Sequence, residues 1–216
     1  MSAFLHISAL EAAAPLFSIV PETKRDVAER EALLDAVMGL GRTRKTSEAI
    51  RRGRRPAEGL AFSAGAADGR LIGTVRLWNI TAGRCGATET PALLLGPLAV
   101  DPSMHKAGVG GALMRHAIGE AARLGHGAIL LVGDPEYYGR FGFSSAATAN
   151  LSMPGPFEPH RLLALEIALG YLAGATGTLA PTSRRQPSVI TGDTAGHHRF
   201  AAACQHREIP SIVIQN

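Results

Sequence analysis

The sequence predicts a mixed α/β domain built around one sheet, followed by a C-terminal extension. Three observations predict it: strand-like and helix-like runs alternate along the chain; "PALLLGPLAV" (91–100) is a near-continuous apolar run, as expected of a strand covered on both faces; and "AILLVG" (128–133) repeats that pattern directly after an amphipathic helix. The expected order is β, α, α, three strands, α, β, α, β, with a domain over 1–180 and an extension over 181–216.

Each element has a local cause. "LFSIVPET" (16–23) reads as a first strand that Pro21 ends. "KRDVAEREALLDAVMG" carries Val27, Leu33, Leu34, Val37 and Met38 at helical intervals and closes at Gly39. A second short helix is expected between Ser47 and Arg52. "GLAFSAGAADGRLIGTVRLWNI" (59–80) is a hairpin whose Asp68-Gly69 pair suits a turn needing positive φ. Gly96-Pro97 inside the next strand predicts a bulge or a break in pairing, because proline donates no hydrogen bond to a ladder and glycine lets the backbone bend. In the helix that follows, Val109, Leu113, Ala117, Ala121 and Leu124 form an apolar stripe, with Arg115, His116, Glu120 and Arg123 toward water and Gly125 and Gly127 as the stop. "DPEYYGRFGF" (134–143) reads as a short helix and a turn into a further strand.

The chain has 216 residues, 46% of them hydrophobic, enough to bury a sizeable core. "MSAFLHISALEAAAPLF" has no basic n-region and places Glu11 in its apolar stretch, which argues against a secretory signal and for the cytoplasm. Glu166 and several glycines interrupt "LLALEIALGYLAGATGTLA", so no bilayer span or membrane partner is expected. Cys85 and Cys204 lie far apart in no CxxC spacing. His197, His198, Cys204 and His206 match no standard zinc spacing, and no metal is expected. Net charge is +4, and residues 41–56 hold seven of the 22 lysines and arginines. Such a run is commonly a solvated helix face; it also suits an acidic or phosphorylated ligand. The absence of interleaved aromatics and of a helix-turn-helix or RNA-binding signature disfavours nucleic acid.

The most informative stretch is "HKAGVGG" (105–111), three glycines where a strand hands over to a helix. A helix start presents unpaired N–H groups and the positive end of the helix dipole, which together favour an anion. Glycine lets a phosphate touch the backbone. Lys106 and His105 can add charge. ATP is disfavoured, since no glycine is followed by lysine and a hydroxyl residue and Ala112 stands where the P-loop needs lysine. The dinucleotide pattern matches at Gly108 and Gly110 and fails at Leu113, with no ribose-binding acid roughly twenty residues on. Close helix packing is the alternative reason for such glycines. "YYGRFGF", after the next strand, places a phenol near the same sheet edge.

The run "LLLGPLAVDPSMHKAGVGGALMRHAIGEAARLG", with "YYGRFGF" after the next strand, resembles the GNAT superfamily of acyl-CoA-dependent N-acetyltransferases. The likeness is greatest to a bacterial subgroup of predicted acetyltransferases without an assigned substrate, of which "RTRKTSEAIRRGRRPAEGLAF" and "PGPFEPHRLLALEIALG" also look typical, and it spans about residues 16–175. It implies a sheet with splayed central strands and helices on both faces, acetyl-CoA as cosubstrate, an amine of a small molecule or protein as acceptor, and direct attack; it leaves a homodimer open. The family's loop pattern falls on His105, Lys106, Ala107, Gly108, Val109 and Gly110, with His105 replacing the usual Gln or Arg. By resemblance, Lys106 to Gly111 hold the coenzyme A pyrophosphate, and Leu98, Ala99 and Val100 pair with the pantetheine arm. The N–H of Ala99 or Val100 would stabilise the oxyanion of the thioester carbonyl. Tyr138, four residues before Gly142-Phe143, corresponds to the family's general acid; a thiol titrates at about 8.5 and a phenol at about 10, so the proton transfer costs little.

No general base is evident: Glu89 has a suitable chain position and reads more simply as a solvated loop carboxylate. The 41–56 region occupies the position that lines the acceptor site in the resembled family, so Lys45, Arg51, Arg52 and their neighbours are expected to select an acceptor bearing a carboxylate or phosphate. Two rival readings are a non-catalytic acyl-CoA-binding sensor or partner module of the same fold, and nucleic-acid binding by the arginine-rich segment.

Overall fold

The computed structural model describes residues 16–186; the expectations about Glu11 and about His197, His198, Cys204 and His206 lie outside them. The strands are β1 (Phe17–Pro21), β2 (Ala61–Ala66), β3 (Leu71–Cys85), β4 (Thr88–Val100), β5 (Ala128–Val132), β6 (Leu151–Ser152), β7 (Leu162–Glu166) and β8 (Thr176–Pro181). The helices are α1 (Val27–Met38), α2 (Thr46–Arg51), α3 (Val109–Arg123) and α4 (Pro135–Gly139). The sheet runs β1-β2-β3-β4-β5-β7, and β8 pairs with both β3 and β6. All pairings are antiparallel except β4 with β5 and β6 with β8.

β4 alternates between two cores. Leu93 and Leu95 join the cluster under α3, with Val75, Leu77, Leu113, Met114, Ile129 and Leu131. Ala92 and Leu94 join the opposite cluster, with Ile50 of α2, Trp78, Ile80 and Leu130. Period-two alternation on a strand covered on both faces explains why this run shows no polar interruption. α1 packs through Leu33 and Leu34 against Ala99, while Leu98 and Val100 lie against the α3 core, so helices cover both faces.

Several local expectations change. Val27 and Val37 of α1 are exposed and Arg30 is buried, because Glu22 and Glu31 pair with its guanidinium. On α3, Met114 takes the buried place expected of Leu124, which is exposed beyond the helix end, and His116 is half-buried edge-on to Phe62 at 4.6 Å. The strand expected after Phe143 is a single bridge from Ser144 to Ala164. The sheet's further strands are β7 and β8. Beyond β8 the chain stays attached: Thr182 and Ser183 donate to the Asn79 carbonyl at 3.1 Å, and the Gln186 N–H donates to Gly53 at 2.8 Å.

Candidate active site

The site begins with a split between β4 and β5. They pair only at Leu93 with Ile129 and Leu94 with Leu130. Past Leu94, β4 carries the expected bulge: Val75 pairs with Leu98 and Leu77 with Leu95, so Arg76 of β3 alone faces Gly96 and Pro97 of β4. The Gly96-Pro97 peptide is cis, and the buried Trp78 Nε1 donates to the Gly96 carbonyl at 2.6 Å, fixing the bulge from behind.

The bulge leaves one edge of β4 unpaired, and register says which groups it offers. Asp101 N–H donates to Ile72 at 2.9 Å, so on the regular ladder the backbone groups of Ala99 face β3, and those of Leu98 and Val100 face the gap. Of the two oxyanion donors that the family resemblance implies, Val100 is therefore the one whose N–H is directed into the opening.

At the end of β4 the chain turns through Lys106 at φ 70° and Gly108 at φ 80°, and α3 starts at Val109. Among the described residues, the N–H groups of Gly108, Val109, Gly110 and Gly111 find no acceptor, as expected of a helix start. His105 and Lys106 are exposed, and Ala107 is half-buried. A Cβ on Gly110 would sit 3.0 Å from the Tyr137 hydroxyl and 3.5 Å from Val100, and one on Gly111 would lie 3.4 Å from Arg115. A glycine at 110 thus keeps the approach to the helix start open. Arg140 lies over the Tyr137 ring at 4.1 Å, beside the same entrance.

Tyr138 reaches the gap because α4 is short and firmly started, with Asp134 accepting from the Glu136 N–H at 3.0 Å and proline in its first turn. A Cβ on Gly133 would fall 2.2 Å from the Tyr138 ring, so the ring lies against β5 only because residue 133 is glycine. Burial, then the neighbouring Tyr137, pushes the Tyr138 phenol up to about 12. It holds its proton throughout the neutral range.

Tyr138 lines a cavity of about 110 Å³ together with Leu95, Gly96, Pro97, Leu98, Leu131 and Val132 from the two separating strands. Met38, Lys45, Ser47 and Arg51 close the cavity from the α1–α2 side. Lys45, Ser47 and Val132 also line an adjoining, larger cavity of about 610 Å³. The structure therefore brings part of the basic segment to Tyr138. Arg52 lines a different cavity and bonds the Thr43 carbonyl at 2.6 Å. Glu89 sits on the exposed β3–β4 hairpin, 3.8 Å from Arg84, at the opposite end of β4 from Val100. Among the described residues, no group of three or more His, Cys, Asp or Glu side chains could hold a metal ion. No described helix is long and apolar enough to cross a membrane.

Sequence reasoning missed the burial of Arg51 and the part of Ser47, Leu131 and Val132 in the lining. The apolar pattern of β5 located Leu131 and Val132 on a strand, and only the departure of β4 makes them a wall.

A split between two parallel neighbours, a helix start with free donors and a half-buried phenol meet at one edge of the sheet, and solved proteins share this fold. The chain superposes on the GNAT family N-acetyltransferase YhbS of Escherichia coli, solved with CoA, at a TM-score of 0.67 and 24% identity, covering 79% of this chain and 92% of that one. A GNAT family acetyltransferase of Brucella melitensis, solved with acetyl-CoA, gives 0.51 and 24% over 71% of this chain and 97% of that one. No curated protein matches the chain. The model of the acetyltransferase (GNAT) family matches residues 30–143, from α1 through the bulged strand and glycine loop to the turn after Tyr138, and the chain belongs to that family.

Proposed function

We propose that the protein is an N-acetyltransferase that moves the acetyl group of acetyl-CoA to an amine by direct attack. The observation that carries this reading is the opening of β4 from β5 beyond Leu94, with the glycine loop at one end and Tyr138 in the wall. Acetyl-CoA supplies an activated thioester. Its pyrophosphate suits the free N–H groups from Gly108 to Gly111, and the fit rests on the glycine at 110, where any side chain would meet Tyr137. Leu98 and Val100 offer the amide-bearing pantetheine arm a strand edge, and the Val100 N–H lies where it can donate to the carbonyl oxygen as negative charge develops.

Tyr138 then gives its proton to the departing sulfur. The raised phenol pKa does not defeat this role, since a thiolate released in the same desolvated gap is raised by the same burial. No carboxylate or histidine lines the gap cavity. With Glu158 lining only the adjoining cavity, the acceptor enters as free amine or loses its proton through water, and kcat/KM for the acceptor should rise with pH up to the acceptor's own pKa. A plateau near pH 6.5 would instead reveal a histidine base.

The reading is tested by single-turnover acetyl transfer to a panel of primary amines, following thiol release. Tyr138→Phe is expected to lower the rate about 10²- to 10⁴-fold and to leave acetyl-CoA affinity within about threefold. Acetyl-CoA binding without transfer to any amine by the parent protein would favour a binding module.

A further inference from the structure

We infer that the acceptor carries a compact oxyanion, a carboxylate or a phosphate, that pairs with Arg51 and Lys45 at the inner wall of the gap cavity. This rests on the acetyltransferase reading above and names the class of its second substrate.

Three observations converge on it. Arg51 is only 9% exposed, yet its Nε has no hydrogen-bond partner. Burying a guanidinium with an unused donor is costly, and native structures leave few such groups without a reason. Its Nη2 approaches the Ser47 hydroxyl at 3.3 Å and the Glu48 carboxylate at 3.2 Å, and Nη1 lies 3.2 Å from the position of a Cβ on Gly96. Arg51 is thus set against the bulge that opens the site.

The second observation is the sign of charge around the cavity. Lys45 and Arg51 are its charged lining side chains apart from the neutral Tyr138 phenol, and no carboxylate lines it. Glu48 belongs to the lining of the cavity on the other side of Arg51. Lys45 makes no ion pair with any described residue.

The third is where the nearby carboxylates go. Glu22 pairs with Arg30 and Arg76, while Glu31 pairs with Arg30 at 2.6 Å and Arg42 at 2.5 Å; Asp35 holds Arg42 at 2.7 Å. Those partnerships leave Glu48 as the single anion bonded to Arg51. Burial lowers the affinity of Arg51 for its proton, Glu48 opposes this, and Arg42 and Arg76 repel the charge. Since a guanidinium stays charged in proteins, the imbalance is relieved by an arriving anion. A planar fork suits carboxylate or phosphate oxygens, and a flexible lysine adds a point charge. The two cations would also lower the pKa of an acceptor ammonium nearby, which assists a site whose cavity lacks a lining base.

The test uses the full chain saturated with CoA, titrated calorimetrically with 3-aminopropanoate, 5-aminopentanoate and phosphoethanolamine, and with the matching amides and ethanolamine as neutral partners. At least one anionic probe is expected to bind about tenfold or more tightly than its neutral partner. Lys45→Met, at an exposed position that does not endanger folding, should remove most of that preference, and Arg51→Met should remove the rest. Arg51→Lys separates loss of charge from loss of fold, and a melting curve accompanies each variant. Preference for a carboxylate over phosphoethanolamine, or the reverse, identifies the source of the oxyanion. Equal binding of charged and neutral probes, no binding of any probe by CoA-saturated protein, or a preference that survives both substitutions overturns the inference while leaving the acetyltransferase reading intact. Failure to saturate with CoA at the outset would count against the acetyltransferase reading itself.

Discussion

Tyr138 and Arg51, the two side chains on which the proposals rest, differ in how plainly the sequence announced them. The family resemblance singled out Tyr138, four residues before Gly142-Phe143, and the structure sets it in the wall of the gap cavity, while its equally aromatic neighbour Tyr137 stands beside Gly110 at the helix start. Arg51 was legible only as one of seven basic residues, because the sequence "IRRGRR" does not say which arginine is buried. Burial there depends on the Gly96 bulge, a feature of another element. The raised phenol of Tyr138 predicts two effects. Between about pH 10 and 12 the unfolded chain loses this proton and the folded protein keeps it, so a contribution intact below pH 10 is lost as pH rises through about 12. Comparing the pH dependence of urea midpoints for the parent and Tyr138→Phe should show the parent falling more steeply above pH 10. The same shift predicts no alkaline loss of transfer rate near pH 10; a fall at that pH present in the parent would mean the phenol is not desolvated in the working complex.

At the scale of elements, the strand–loop–helix segment from Ala92 to Arg123 was readable because each part has a local cause: a continuous apolar run, a Gly-Pro break, glycines and an amphipathic stripe. β7 and β8 were not readable. Their residues lie in one apolar stretch broken by glycines, and only pairing to β5 and β3, tens of residues away in sequence, distinguishes strand from loop. The bulge offers a test of how elements build the site. Trp78→Phe removes the donor to the buried Gly96 carbonyl and should cost about 1–3 kcal/mol by urea denaturation. It should also weaken acetyl-CoA binding through the displaced strand edge. Packing of α3 on the sheet gives a second test. A Cβ on Gly73 would meet Leu113 at 2.9 Å and Val109 at 3.0 Å, so Gly73→Ala should destabilise by about 1–3 kcal/mol in the same measurement.

Across the whole molecule, electrostatics ties the exit of the first strand, α1 and β3 together through Glu22, Arg30 and Arg76, with side-chain exposures of 6%, 5% and 15%. Glu22→Gln leaves the half-buried Arg76 without its anion and the buried Arg30 with Glu31 alone, and should cost about 3 kcal/mol, with denaturation midpoints as the readout. The network is placed by tertiary pairing, and the sequence offered no sign of it beyond the charges themselves. The excess of four positive charges, to which residues 41–56 contribute seven cations, suits the anionic cosubstrate proposed above and the oxyanion inferred for the acceptor. The proposed function turns on acetyl-CoA binding at the glycine loop. That binding is measured most directly by calorimetric titration of the parent and Gly110→Glu with acetyl-CoA, with ATP and NADH alongside. Saturable binding of acetyl-CoA alone, weakened at least tenfold by Gly110→Glu, is the predicted result. No binding, or binding indifferent to Gly110→Glu, would mean that the glycines serve only to pack α3.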